Sequence, residues 1–203
     1  MPRLFIAFEL PEDVRGAIEA TIRELKTAAA DVRWADRERV HVTMRFLGEV
    51  PEASIPGVEH ALADACRGIG FLDLEARGIG TFGGRVPRVV WAGVQGATER
   101  SRGELHRLRR LVDEGMSGLG FQQDRDDFNA HATLGRVRGS RRIAALVDLI
   151  RAGRERNFGR FRVAELVLFQ SKLSSSGSVY TPLVRVGLGP VGFSPSDPGA
   201  PPP

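Results

Sequence analysis

The 203-residue sequence contains a single cysteine, Cys66. One cysteine cannot form an internal disulfide, nor can it supply a multi-cysteine zinc site. No apolar run approaches the roughly 18 residues that a membrane-spanning helix needs, and the apolar stretch at the N-terminus is too short for a secretory signal. These absences predict a cytoplasmic protein that makes no contact with a membrane.

Lysine is also scarce, since Lys26 and Lys172 are the only two and arginine supplies 27 of the 29 basic residues. The formal net charge is +4. Guanidinium groups suit phosphate ligands because their planar fork of N–H donors matches phosphate oxygens. Codon bias in a GC-rich genome would produce the same composition, so both explanations stay open.

The length fits one domain, or one domain built of two lobes. We predict that residues 1–188 form this domain. From Gly189 onward the chain reads GPVGFSPSDPGAPPP. That segment is too rich in proline, glycine and serine to bury a core, so residues 189–203 are predicted to be a disordered tail.

Apolar periodicity within the domain predicts helices and strands in alternation. Helices are expected after Pro11, from Pro51 to Cys66, around Leu105–Val112 and over residues 141–152. Strands are expected over residues 1–10, 40–47, 71–82, 88–94, 130–137, 161–169 and 179–188.

A triplet of the form H-x-T occurs twice, as His41-Val42-Thr43 and His131-Ala132-Thr133, 90 positions apart. The same offset relates Phe71 to Phe161 and the apolar residues 89–91 to residues 179–181. Each copy is predicted to be a strand with the triplet, then a helix, then two strands. Two similar halves favour a two-lobed fold with approximate two-fold symmetry, with the H-x-T strands facing each other across a cleft.

Side chains alternate along a strand, so the histidine and threonine of each triplet share one face. Imidazole exchanges a proton near neutral pH, and a threonine hydroxyl donates a hydrogen bond to an anionic oxygen. Two such faces brought together would clamp a tetrahedral anion. One histidine could then activate a nucleophile while the other protonates the leaving oxygen.

Structural histidines in buried strands, or a zinc site, are the alternatives. Two histidines are too few for most catalytic zinc sites, which use three protein ligands, so we expect no metal and no cofactor. His60 and His106 have no repeated counterpart and receive no role. The sequence GIGTFG at 78–83 fits a G-x-G-x-x-G pattern, but a strand follows where a dinucleotide site needs a helix, so these glycines are predicted to serve a turn or bulge.

With both triplets in place, the chain resembles the 2H phosphoesterases, and within them the RNA 2′,3′-cyclic phosphodiesterases, also called LigT-like proteins or 2′-5′ RNA ligases. The stretches that carry the resemblance are RLFIAFELPEDVR at 3–15, HVTMRFLGEV at 41–50, PRVVWAGV at 87–94, FNAHATLGRV at 128–137, and LVLFQSKL with VYTPL at 166–183. The resemblance implies an α+β fold with two lobes of antiparallel sheet flanked by helices and a groove between them.

The implied activity is metal-independent hydrolysis of a terminal 2′,3′-cyclic phosphate to a 2′-phosphomonoester. The implied substrate is the single-stranded 3′ end of an RNA, with no obligate protein partner. Ligation of RNA halves through a 2′-5′ linkage, and non-catalytic binding of RNA ends or cyclic nucleotides, remain alternatives.

The resemblance implies that His41 is the proton donor and His131 the proton acceptor. It further implies that Thr43, Thr133 and Arg136 bind the phosphate and that Phe46 lies near the base. Strict alternation from His131 would place Arg136 on the wrong face, so the strand has to end or bulge at Gly135. Phe46 has the same problem of parity. Ala130 departs from the family, which usually has proline before the second histidine.

Overall fold

The computed structural model describes residues 1–84, 86–122, 127–174 and 177–189. Most of the predicted tail therefore lies outside the described residues. Gly189 still belongs to the folded part, because its N–H donates to the carbonyl of Ile69 at 2.8 Å. The strands are β1 (Arg3–Glu9), β2 (Val32–Trp34), β3 (His41–Glu49), β4 (Leu72–Phe82), β5 (Val89–Gly96), β6 (His131–Val137), β7 (Asn157–Val163), β8 (Glu165–Ser174) and β9 (Gly177–Gly187), and the helices are α1 (Glu12–Lys26), α2 (Ile55–Cys66), α3 (Glu99–Gly118) and α4 (Ile143–Ala152).

The four helices are amphipathic and bury their apolar sides. In α1 the buried apolar side chains recur at helical spacing, at Val14, Ile18, Ile22 and Leu25. Helix α3 begins at a capped end, where the Thr98 hydroxyl accepts a hydrogen bond from the N–H of Ser101 at 3.1 Å. The helix side chains join the apolar residues of the sheet in one large core.

All the strands belong to one antiparallel sheet in the order β7-β4-β5-β6-β3-β1-β8-β9, with β2 paired to β6 beside β3. The predicted α+β class is confirmed. The prediction of two separate sheets is refined, because β3 and β6 join the two halves into one sheet through the pairing of Val42 with Ala132. The H-x-T strands are therefore neighbours in a curled sheet and do not face each other across a gap.

The 90-residue offset survives only in part. It relates β3 to β6, α2 to α4 and β4 to β8. Strands β4 and β8 occupy equivalent places, because one strand separates β4 from β6 and one strand separates β8 from β3. It fails for residues 89–91 and 179–181, since β5 lies beside β6 whereas β9 is an edge strand. The place beside β3 that corresponds to β5 is taken by β1.

Residues 161–169 do not form the single strand that was predicted. The chain breaks at Ala164, and β7 pairs with β4 in one half of the sheet while β8 pairs with β1 in the other. No glycine or proline marks this break. The strand β2, three residues long, was not predicted at all.

Both H-x-T strands carry a bulge directly after the threonine. In β3 the partners of β1 step from Thr43 to Arg45 and skip Met44. In β6 the partners of β5 step from Thr133 to Gly135 and skip Leu134. The extra residue resets the alternation of side chains, so the parity that strict alternation assigns downstream of each triplet is reversed.

The residue after each bulge is buried for a different reason in each half. Arg45 is 1% exposed and donates to the Asp113 carboxylate on α3 and to the carbonyl of Gln122. Its counterpart Gly135 has no room for a side chain, because a Cβ there would lie 2.7 Å from a methyl carbon of Val32. The strand β2 thus packs directly against the bulge of β6.

The glycines at 78–83 serve the backbone, as predicted. Gly78 has φ +79° at a register shift of β4, and Gly83 has φ +117° beyond the end of that strand. Strand β5, and not a helix, follows them. Gly80 has a separate role, since a Cβ there would lie 2.3 Å from two ring carbons of Trp91.

We predict that Gly80→Ala destabilises the fold by about 1–3 kcal/mol, because the new methyl group would displace the Trp91 ring. Denaturant unfolding measures this directly. Gly70→Ala is the matched control, since nothing lies within 4 Å of its Cβ position. Equal free energies of unfolding for the two variants would contradict the close packing of Trp91 on Gly80.

Candidate active site

Four side chains of the two triplets lie on one face of the sheet, at the point where β3 meets β6. His41, Thr43, His131 and Thr133 are half-buried, while Val42 and Ala132 between them point into the core on the opposite face. Pairing of Val42 with Ala132 places His41 across from Thr133 and Thr43 across from His131. The two histidines are then diagonal neighbours, whose backbones in such a sheet lie about 7–8 Å apart.

Each imidazole is held by a backbone carbonyl two residues earlier in the chain. Nδ1 of His41 is 2.8 Å from the carbonyl oxygen of Arg39, and Nδ1 of His131 is 2.6 Å from that of Asn129. A carbonyl oxygen only accepts hydrogen bonds, so Nδ1 carries the proton in both neutral rings. Nε2 is left as the atom that can accept or deliver a proton at a ligand.

Aromatic rings surround each histidine. The His41 ring centroid lies 4.9 Å from that of Phe5 and 5.2 Å from that of Tyr180, which meets it edge-on. The His131 ring lies edge-on to Phe82 at 4.9 Å and is 6.4 Å from Trp91. The sequence did not predict these four aromatic residues as part of the site, because strand pairing, and not the H-x-T motif, brings them next to the histidines.

Burial lowers the pKa of His41 and of His131 below the ordinary value, because desolvation disfavours the charged ring. The hydrogen bond to the backbone carbonyl opposes this effect on the pKa of each ring. The charge of His131 further lowers the pKa of His41, which means that the two rings sense each other.

The remaining charges act on the two histidines in opposite directions. Glu9, the cross-strand partner of His41, raises the pKa of that ring. The guanidinium of Arg136 lowers the pKa of His131. Glu9 and Arg136 thus act on the pKa values of the two rings in opposite directions, while burial lowers the pKa of both.

The structure brings Arg136 and Phe46 toward the same face as the histidines. Phe46 and Arg136 occupy equivalent places in the two halves, each two positions after the residue that its bulge inserts. The bulge reverses the alternation of side chains, so both residues project from the histidine face. Phe46 is 60% exposed, and its ring lies 6.1 Å from that of Phe5, which in turn packs on His41. One end of the site therefore presents an aromatic side chain, and the other a cation.

A cavity of about 370 Å³ opens beside His131. Its walls include Phe82, Trp91 and Phe128, and the indole N–H of Trp91 is buried with no hydrogen-bond partner among the described residues. His106, which is exposed, also lines this cavity, edge-on to Phe128 with the ring centroids 6.0 Å apart.

No helix among the described residues is long and apolar enough to cross a membrane. Within the same residues, no group of three or more histidine, cysteine, aspartate or glutamate side chains is arranged to hold a metal ion.

Comparison with known proteins identifies the class to which this fold and site belong. The model of the 2′-5′ RNA ligase superfamily matches residues 14–174, and the chain belongs to that superfamily. Among its relatives, a protein of Methanothermobacter thermautotrophicus named RNA 2′,3′-cyclic phosphodiesterase is 34% identical over 180 residues, covering 88% of this chain and 95% of the relative. A protein of the same name from Archaeoglobus fulgidus is 34% identical over 182 residues, covering 89% and 97%.

Two solved structures share this fold. The crystal structure of a Thermus thermophilus protein is 27% identical, with a TM-score of 0.73 over 93% of this chain and 99% of the other. The apo crystal structure of Escherichia coli LigT is 24% identical, with a TM-score of 0.72 over 92% and 98%, and supports the fold alone.

Proposed function

We propose that this protein is an RNA 2′,3′-cyclic phosphodiesterase, which hydrolyses the terminal cyclic phosphate of an RNA to a 2′-phosphomonoester. The names of its relatives support the activity. The observation that carries the proposal is the diagonal pair of half-buried imidazoles on one sheet face, each held through Nδ1 and each with Nε2 left for the substrate.

The reaction is an in-line displacement at phosphorus. Nε2 of His131 takes a proton from water as the water oxygen bonds to phosphorus. The bond from phosphorus to the 3′-oxygen breaks, and Nε2–H of His41 delivers a proton to that leaving oxygen. The step leaves His131 protonated and His41 neutral, and exchange with solvent restores the starting state.

The assignment of acid and base follows the roles that the resemblance to the 2H phosphoesterases implies, and two neighbouring charges are consistent with it. Glu9 favours the protonated form of His41, as an acid requires, and Arg136 favours the neutral form of His131, as a base requires. The phosphate dianion character that develops in the transition state would be stabilised by the hydroxyls of Thr43 and Thr133 and by Arg136.

The two imidazoles and the hydroxyl and guanidinium donors supply every proton transfer and charge contact in this scheme, so no metal or cofactor is required. Phe46 would stack against the terminal base, because single-stranded RNA is recognised through stacking on exposed aromatic rings. The substrate is then the 3′ end of a single-stranded RNA, and no obligate protein partner is needed.

Ligation is the second candidate activity, because the family model that matches this chain is that of the 2′-5′ RNA ligase superfamily. The same arrangement of residues would catalyse ligation if the 5′-hydroxyl of a second RNA took the place of water. His131 would again remove the proton of the attacking hydroxyl. Supplying an RNA with a 2′,3′-cyclic phosphate together with an RNA bearing a 5′-hydroxyl distinguishes the two reactions by their products.

We predict that His41→Ala and His131→Ala each lower kcat/KM for an RNA with a 2′,3′-cyclic phosphate by about 10²–10⁴, because each removes one proton transfer. The double variant should lose little beyond the single variants, since the two transfers act in one step. The assay follows conversion to the 2′-phosphate with EDTA present throughout.

His60→Ala is the matched control, because the His60 side chain is exposed on α2, where its Nε2 lies 3.5 Å from the Asp64 carboxylate. Full activity in either catalytic variant would contradict the mechanism. Tight binding of the RNA by the unaltered protein without conversion would instead identify a binding protein.

The pH profile of kcat/KM tests which histidine is the acid. A bell-shaped profile is expected, with its optimum on the acid side of neutrality because the pKa values of both histidines are lowered. Glu9→Gln removes the charge that raises the pKa of His41, so the alkaline limb should move to lower pH. Arg136→Gln removes the charge that lowers the pKa of His131, so the acid limb should move to higher pH.

The position of each limb is independent of the loss of affinity that Arg136→Gln also causes. A shift of the acid limb in Glu9→Gln, or of the alkaline limb in Arg136→Gln, would reverse the assignment of acid and base.

A further inference from the structure

Two arginines lie side by side at the end of the site. Arg33 on β2 is the direct cross-strand partner of Arg136 on β6. In an antiparallel pair, directly opposed residues project from the same face of the sheet. Arg33 is therefore on the face that carries the histidines, and both arginine side chains are exposed.

No acidic group within the described part of the chain balances this pair. Neither Arg33 nor Arg136 forms an ion pair there, in contrast to arginines such as Arg162, which lies 2.8 Å from Asp73. Asp31, two positions before Arg33, lies instead against Gly139, where a Cβ would meet its carboxylate at 2.9 Å. Like charges placed directly opposite each other destabilise a sheet, so an anionic ligand would relieve this repulsion.

The guanidinium of Arg33 lies close to the β8–β9 hairpin. A Cβ on Gly177, at the start of β9, would lie 2.7 Å from Nη2 of Arg33 and 2.4 Å from Nη1 of Arg39. Arg39 is paired with Asp36 at 3.1 Å, so its charge is already balanced. The guanidinium of Arg33 thus stands between β2 and the hairpin, close to the chain segment that leads into His41.

The position of Arg136 on β6 places the Arg33–Arg136 pair next to the proposed site of the reacting phosphate. Arg136 follows Thr133 by three residues, across the bulge, and its charge reaches His131. Arg33 lies one strand further from that centre, on β2. A ligand phosphate between the histidines would therefore have a second anion-binding position next to it, on the side of β2.

We propose that Arg33, together with Arg136, binds a second phosphate of the RNA, the backbone phosphate on the 5′ side of the terminal nucleotide. Guanidinium groups bind phosphate oxygens through charge-assisted hydrogen bonds. This inference rests on the proposed function and narrows its substrate class to RNA that carries this internucleotide phosphate, as opposed to a lone nucleoside cyclic phosphate.

The test uses two dinucleotides that end in a 2′,3′-cyclic phosphate and differ only in their internucleotide linkage. One has the natural phosphodiester, and the other a neutral methylphosphonate. For the unaltered protein, the neutral linkage should lower kcat/KM by about tenfold, through KM. Arg33→Gln should lose about the same factor on the natural linkage and nothing further on the neutral one, and Arg33→Lys should recover part of the loss.

Salt provides a second readout on the natural linkage. The slope of log KM against log salt concentration should fall by about 0.7 in Arg33→Gln, as expected for the loss of one phosphate contact to a single strand. Arg23→Gln on the exposed side of α1 is the matched control, and should change neither the discrimination nor the slope.

The outcomes separate this inference from the proposed function. If the unaltered protein hydrolyses both dinucleotides equally well, or if Arg33→Gln slows both by the same factor, the second phosphate site is wrong and the phosphodiesterase stands. If the unaltered protein hydrolyses neither dinucleotide, the phosphodiesterase itself is wrong.

Discussion

The pairing of Val42 with Ala132 sets the geometry of the whole site. It joins two half-sheets at the middle of two H-x-T strands, and it directs both paired side chains into the core. The histidine and threonine on either side of each are then forced onto the opposite face. Because the strands are antiparallel, each histidine meets the threonine of the other triplet, which produces a diagonal arrangement of two imidazoles and two hydroxyls.

The duplicated bulge gives the two H-x-T strands nearly the same backbone, on which different side chains are placed. Both strands have the same pattern of burial from the histidine to the third residue after the threonine. The side chains that this shared backbone presents are different, an aromatic ring at Phe46 and a guanidinium at Arg136. Glu9 and Arg136 act on the pKa values of the two imidazoles in opposite directions, as the proposed division into one acid and one base requires.

The sequence was sufficient for the features that depend on local periodicity. Alternation along a strand predicted that each histidine shares a face with its threonine, and the parity of Arg136 required a bulge near Gly135. Features that depend on pairing between distant strands were not accessible in this way. The run through Ala164 has no glycine or proline to mark a break, yet its two ends join opposite halves of the sheet. The aromatic rings around the histidines come from strands whose register is fixed only by the folded sheet.

In the proposed mechanism both Nε2 atoms contact one phosphate. A crystal structure with the reaction product, a nucleoside 2′-phosphate, bound would show whether they do. We expect a single phosphate between the rings, with each Nε2 about 3 Å from a different phosphate oxygen and each Nδ1 still hydrogen-bonded to its backbone carbonyl. A phosphate that contacts only one histidine, or a ring turned so that Nε2 faces the carbonyl, would contradict it.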